Sequence, residues 1–169
     1  MYKIGIIGHG PERLDDPDKV QRLIGLTIEL LGFQYGEDDV VFNIQGAIGV
    51  GLWAAEACIE QGFKYHLFLP YSVEETSKHW YYDQQQRLLN QYNNAYSLTI
   101  CKPDELTGED FVHKSLIDQS NFVVFFWQGM KQGKTANAVK HAFSVNKLAL
   151  NAMQNLELIT ARDFKRKKK

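Results

Sequence analysis

This sequence has little cysteine, no long apolar run and almost no excess of charge of either sign, and each shortage excludes something. Cys58 and Cys101 are the only two cysteines, too few for a disulfide scaffold and without metal-ligand spacing. Both sit in apolar surroundings and read as reduced core thiols. No apolar stretch approaches the roughly 20 residues that a membrane-spanning helix needs. The net charge of −1 argues against a wholly basic surface for nucleic acid, while a local patch stays open. The chain enters "KIGIIG" almost at once, so no signal peptide is expected and a cytoplasmic location is the expectation. Repeats, linkers and composition breaks are also missing.

What is present suits one globular domain. In 169 residues, 44% are apolar and 23% charged, enough to bury a core and unlike a disordered chain. Short β-branched runs read as strands at 2–8, 39–47, 64–70, 96–101 and 121–127, with a short last strand at 147–153. Helical patterns lie between them. Pro17 is placed as a first helical residue behind Asp16 as cap. Val20, Leu23, Ile24, Thr27, Leu30 and Leu31 then recur on one face, and Gly32 or Gly36 ends that helix. Further helices are expected at 49–62, 83–95 and 134–146, and one or two helical turns followed by a helix within 103–120. Strand–helix alternation predicts a Rossmann-like three-layer α/β/α domain over residues 1–163, with a mainly parallel sheet of five to six strands. The basic run "FKRKKK" (164–169) reads as a solvated tail or as a weak phosphate contact.

In such sheets ligands bind beyond the carboxyl ends of the strands. Three loops there are unusual. In "GHGPERL" (8–14) Gly8 and Gly10 permit a tight turn. His9 and Arg13 offer donors to an anion, and Glu12 an acceptor or base; a plain turn with an exposed charge pair is the alternative. In "QGAIGVG" (45–51) Gly46, Gly49 and Gly51, with Ala47 between them, precede a helix whose free N–H groups favour a phosphate, although close packing alone also calls for glycine. Glu56 follows on that helix, facing either ligand or water. The third loop lies in "VVFFWQGMKQGKTANAV" (123–139). The Walker pattern needs glycine where Gln128 stands, and Gly129 is one residue too close to Gly133. A nucleoside triphosphatase is therefore rejected. Gly129 and Gly133 still allow a close-approaching turn, Lys134 adds charge, the Thr135 hydroxyl caps the helix or binds a phosphate oxygen, and Asn137 is in reach of the same pocket.

The stretch 70–86 is long for a loop. Its Trp80 and Tyr81 either stack on a base or plug the core or a dimer contact. His66, His113 and His141 show no ligand spacing, so no metal and no cofactor is expected.

"IGIIGHGPERL", "IQGAIGVGLWAAEACIEQGFKYHLFLPY", "HWYYDQQQRLL" and "VVFFWQGMKQGKTANAVKHA" with "NKLAL" together resemble the SLOG superfamily. That superfamily holds the cytokinin-riboside phosphoribohydrolases (LOG) and the Rossmann-like core of the DNA-processing protein DprA. The closest pattern is a small bacterial and phage branch that opens with a Gly-His-Arg-Pro-like turn. The resemblance spans roughly residues 2–150. It implies a nucleotide or nucleotide-derived ligand across the loops at 8–13, 46–51 and 129–135, and frequent dimers, for which segment 79–82 and the long first helix are candidate surfaces. The phosphoribohydrolase motif Pro-Gly-Gly-x-Gly-Thr-x-x-Glu is broken here: Gln128-Gly129 replaces its start, Lys134 separates Gly133 from Thr135, and no Glu follows. Glu12 or Glu56 would have to take the catalytic part.

Three functions follow as expectations. The leading one is a nucleotide-binding module. The alternatives are hydrolysis of a nucleoside 5′-monophosphate at its N-glycosidic bond and a DprA-like association with DNA. Nucleic acid is not favoured as a partner, because affinity for it rests on neutralising phosphates.

Overall fold

The computed structural model describes residues 1–102 and 110–165. The helical turns expected at 103–109, and residues 166–169 of the basic run, lie outside the described residues. One seven-stranded sheet runs in the order β4-β3-β2-β1-β5-β6-β7. Its strands are β1 (Tyr2–Gly8), β2 (Val40–Gln45), β3 (Lys64–Leu69), β4 (Ser97–Ile100), β5 (Phe122–Phe126), β6 (Leu148–Asn151) and β7 (Glu157–Leu158). All neighbours pair in parallel except β6 and β7. The sheet therefore exceeds the expected five to six strands by the two-residue β7, too short to carry a periodicity of its own.

Helices α1 (Pro17–Tyr35) and α2 (Val50–Gln61) cover one face, and α5 (Asp110–Asp118) and α6 (Lys134–Ser144) the other. The long connection after β3 is not a bare loop. It holds the short α3 (Val73–Ser77), capped by Ser72 accepting from the Glu75 N–H at 3.2 Å, and leads into α4 (Tyr82–Asn94). At the start of α1, Asp16 accepts from the Lys19 N–H at 3.1 Å, with Pro17 at the first helical position. Gly36 ends that helix, its N–H bonded to the Gly32 carbonyl. Gly32 itself serves packing: a Cβ there would lie 2.0 Å from the Phe63 ring.

The strand order places the site. From β1 the chain winds outward through β2, β3 and β4, then returns to the other side of β1 as β5. The loops leaving β1 and β5 thus diverge toward opposite faces, and a crevice opens between them at the carboxyl edge, the switch point of such sheets. Asn151 holds the end of β5 in place. It is 2% exposed, donates to the Trp127 carbonyl at 2.9 Å and accepts from the Met153 N–H at 3.1 Å. Phe164, placed in the tail by the sequence pattern, stacks on Trp127 with ring centroids 5.1 Å apart.

Candidate functional site

At that switch point lies a cavity of about 340 Å³ lined by the loop after β1 (Gly8, His9, Gly10, Glu12, Arg13), the end of β2 (Gln45, Ala47, Ile48), His113 of α5, and Gln132, Gly133, Lys134 and Thr135. Its size falls within the ordinary range for small-molecule sites. Loops from both ends of the chain meet here because glycines let backbones approach. Gly133 has φ +109°, and a Cβ on it would lie 2.9 Å from Arg13 Nη1. Gly49, at φ +102°, comes so close to the first loop that a Cβ would meet the His9 carbonyl at 2.7 Å. Such φ values strain any residue with a side chain.

Gly133 is the N-cap of α6 and supplies no side-chain cap. The first helical bond of α6 is Asn137 N–H to the Gly133 carbonyl. The N–H groups of Lys134, Thr135 and Ala136 therefore have no acceptor within the helix, and its dipole favours an anion there. The Thr135 hydroxyl belongs to a residue only 4% exposed, and no other described residue hydrogen-bonds it. Lys134 and Arg13 add positive charge to the same walls.

His9 is 5% exposed. Its Nε2 accepts from the Gln128 N–H at 3.4 Å, which assigns the ring proton to Nδ1. Burial first, and then the neighbouring Arg13, hold its pKa below the ordinary imidazole value, with Glu12 pulling the other way. His9 is thus a neutral donor at neutral pH. The Glu12 carboxylate folds back over Gly10, where a Cβ would stand 2.7 Å from Oε1. The cavity joins a helix N-terminus, two cationic side chains and one carboxylate. That set can hold a phosphate and present a base or hydroxyl acceptor beside it.

Several residues singled out from the sequence lie elsewhere. Glu56 does not line the cavity; α2 turns it toward α4, where Arg87 pairs with it. Trp80 packs against the core, and Tyr81, 79% exposed, stands at the start of α4; neither reaches the cavity to stack on a base. Asn137 faces a separate concavity between α5 and α6, which shares only His113 with the first. Gly46 is spent on packing, since a Cβ would lie 2.4 Å from Leu69 Cδ2, and Gly51 on the Gln45 carbonyl at 2.1 Å. Gln128 turns outward to Asp15 at 3.2 Å. Gly129 has φ +86° with open space around it, so its conformation rather than close packing calls for glycine, and it is not among the residues lining the cavity. Gln45, Ile48, His113 and Gln132 complete the lining and were not singled out as ligand contacts. His113 in particular carries no local signal, because the packing of α5 against α6 brings it there.

Among the described residues no group of three His, Cys, Asp or Glu side chains is placed to hold a metal ion. Both cysteines are buried, and burial pushes the Cys58 thiol well up from its ordinary pKa, which keeps it unreactive. No described helix is long and apolar enough to cross a membrane.

No protein-family model matches this chain, and no curated protein matches it either. Solved structures do. The protein TM1055 is 14% identical with a TM-score of 0.60, over 88% of this chain and 72% of its own. The molybdenum cofactor binding protein of Rippkaea orientalis is 16% identical with a TM-score of 0.58, over 89% and 75%. DprA of Helicobacter pylori, described by its single-stranded DNA binding mode, is 18% identical with a TM-score of 0.60, over 89% and 64%. The chain thus shares the Rossmann-like α/β fold of these structures.

Proposed function

We propose that this protein binds a nucleotide or nucleotide-derived ligand through the cavity between β1 and β5, with a phosphate at the N-terminus of α6. One observation carries the reading: the start of α6, which has no side-chain cap, and the Thr135 hydroxyl, which no other described residue hydrogen-bonds, share a cavity with His9, Arg13 and Lys134. Helix N–H groups without an intrahelical acceptor, beside a hydroxyl and two cationic residues, favour an incoming anion. Phosphate would take the N–H groups of Lys134 and Thr135 and the Thr135 hydroxyl, with Arg13 at its side. The rest of the ligand would run past His9 and Gly10 toward Gln45 and Ile48. That fold neighbours bind a molybdenum cofactor or single-stranded DNA supports ligand binding in general and no particular ligand.

Glu12 favours a second reading, hydrolysis of a nucleoside 5′-monophosphate. Its carboxylate borders the cavity and would activate water or stabilise an oxocarbenium-like transition state. A DNA-binding reading is weaker, because the net charge is −1 and phosphate neutralisation dominates such affinity.

The test is a panel of nucleoside 5′-monophosphates and inorganic phosphate, read by melting temperature and by chromatography for free base. At a hundredfold excess over Kd a ligand adds about 2.7 kcal/mol, roughly 5–10 °C for a domain of this size. Stabilisation without free base supports the binder. Base release that Glu12→Gln abolishes supports the hydrolase. No shift at millimolar concentration of any of these anions overturns both.

A further inference from the structure

The loop from β5 to α6 carries two glycines at positive φ, Gly129 at 86° and Gly133 at 109°. Glycine bends freely and loses more freedom than other residues when ordered, so the loop needs ties from outside to keep one shape. Two of its carbonyls are held. The Trp127 indole N–H donates to the Met130 carbonyl at 2.9 Å, and the Lys140 ammonium on α6 donates to the Lys131 carbonyl at 3.2 Å. One ring lies against both donors. Phe164 stacks on Trp127 with centroids 5.1 Å apart and 27° between the planes, and Lys140 Nζ lies 5.4 Å from the centroid of the same ring. Phe143 meets that ring edge-on at 5.9 Å. A third tie leaves the loop itself, where the Lys131 ammonium donates to the Lys165 carbonyl at 2.6 Å. Phe164 ends a short 3-10 turn, Ala161–Phe164, whose start is fixed by the Asp163 carboxylate accepting from the Thr160 N–H at 2.8 Å.

We propose that Phe164 is a positioning residue for the phosphate site: its ring holds Trp127 and Lys140 against the loop, and so keeps the start of α6 in the shape that receives an anion. This role rests on the ligand reading above and adds the C-terminal segment to that site. Neither Phe164 nor Trp127 lines the cavity, so the effect passes through the carbonyls of Met130 and Lys131. Asn151 already fixes the Trp127 backbone, donating to its carbonyl at 2.9 Å and accepting from its N–H at 3.4 Å. The orientation of the indole is what Phe164 adds. Coupling of this kind is reciprocal. If the docked segment favours the ligand, the ligand favours docking by the same factor.

Nitrogen–proton spectra of the labelled full chain, free and titrated with nucleoside 5′-monophosphates and inorganic phosphate, test it. In Phe164→Ala the Trp127 indole N–H and the amides of Met130, Lys131, Gly133 and Thr135 are expected to shift or broaden before any ligand is added. The Kd should rise about tenfold, a typical coupling between two sites. Phe164→Tyr keeps the ring and should restore both. Trp127→Phe keeps an aromatic partner for Phe164 but loses the N–H that holds Met130. Combined with Phe164→Ala it should weaken binding by less than the product of the two single effects, because both act through one contact. In the wild type, saturating ligand should slow tryptic cleavage after the exposed Arg162 by about the factor that Phe164→Ala costs in affinity. Unchanged amides at 130–135 in Phe164→Ala overturn the proposal. So does a lowered melting temperature with unchanged Kd, which would leave the ring a packing element only. A wild type that binds none of these anions sinks the ligand reading instead, and the ligand-free spectra then decide the coupling by themselves.

Discussion

Arg13 and Gly133 touch across the cavity: Arg13 Nη1 occupies the space beside Gly133 that a side chain would need, 2.9 Å from where its Cβ would stand. One residue follows the first strand and the other opens the last long helix, so this contact ties the two sides of the switch point together. Gly133→Val forces a β-branched residue to φ +109° and pushes the guanidinium out of the cavity. The backbone strain costs about 1–3 kcal/mol, so the fold should persist with a melting temperature lowered by several degrees. Affinity for a phosphorylated ligand, read by calorimetry, should fall well over tenfold. Unchanged affinity would remove this loop from the site.

Thr135→Val should separate stability from binding. The residue lines the cavity and no other described residue hydrogen-bonds its hydroxyl, so its removal leaves no protein group unpaired. The melting temperature of the free protein should hold or rise slightly, while phosphate-ligand affinity drops about tenfold, the worth of one charge-assisted hydrogen bond.

The glycines show how far the sequence could be read. The β-branched runs ending at Gly8 and Trp127 marked the strands that bracket the cavity, and the Asp16–Pro17 start of α1 was legible from its cap. A glycine needed for packing, however, looks like a glycine needed for a ligand. Gly46 makes room for Leu69 and Gly51 for the Gln45 carbonyl, whereas Gly133 makes room for Arg13; only the neighbours in space tell them apart. Glu56 was similarly ambiguous, because the rotation of α2 that turns it to Arg87 is set by the packing of α2 against the sheet. The two-residue β7 and the position of His113 depend on tertiary pairing alone.

Glu56→Gln is accordingly expected to leave ligand affinity and any release of base unchanged. The pair with Arg87 is more than a third exposed on both sides, so solvent screens it. Its loss should cost below about 1 kcal/mol, a melting shift of only a few degrees. A loss of turnover in this variant would place the carboxylate back in the chemistry.

The buried His9 and the half-buried His66 give a pH dependence. Burial lowers the pKa of both His9, helped by Arg13, and His66, helped by Lys3. A histidine with a depressed folded-state pKa takes up a proton more readily when unfolded. Its stabilising effect is therefore complete above the unfolded value of about 6.5. It is lost progressively as pH falls below that value toward the folded pKa. The melting temperature should decline between pH 7.5 and 5.5, and His9→Gln with His66→Gln should flatten that decline. An equally steep decline in the double variant would assign it to other groups.

The pocket claim itself is tested most directly by nitrogen–proton correlation spectra of the labelled protein during titration with a nucleoside 5′-monophosphate. The largest shifts are expected at the amides of Gly133, Lys134, Thr135 and Ala136, with smaller ones at His9 and Gly10. Saturating shifts confined to other surfaces, or none at these amides at millimolar ligand, would contradict the account.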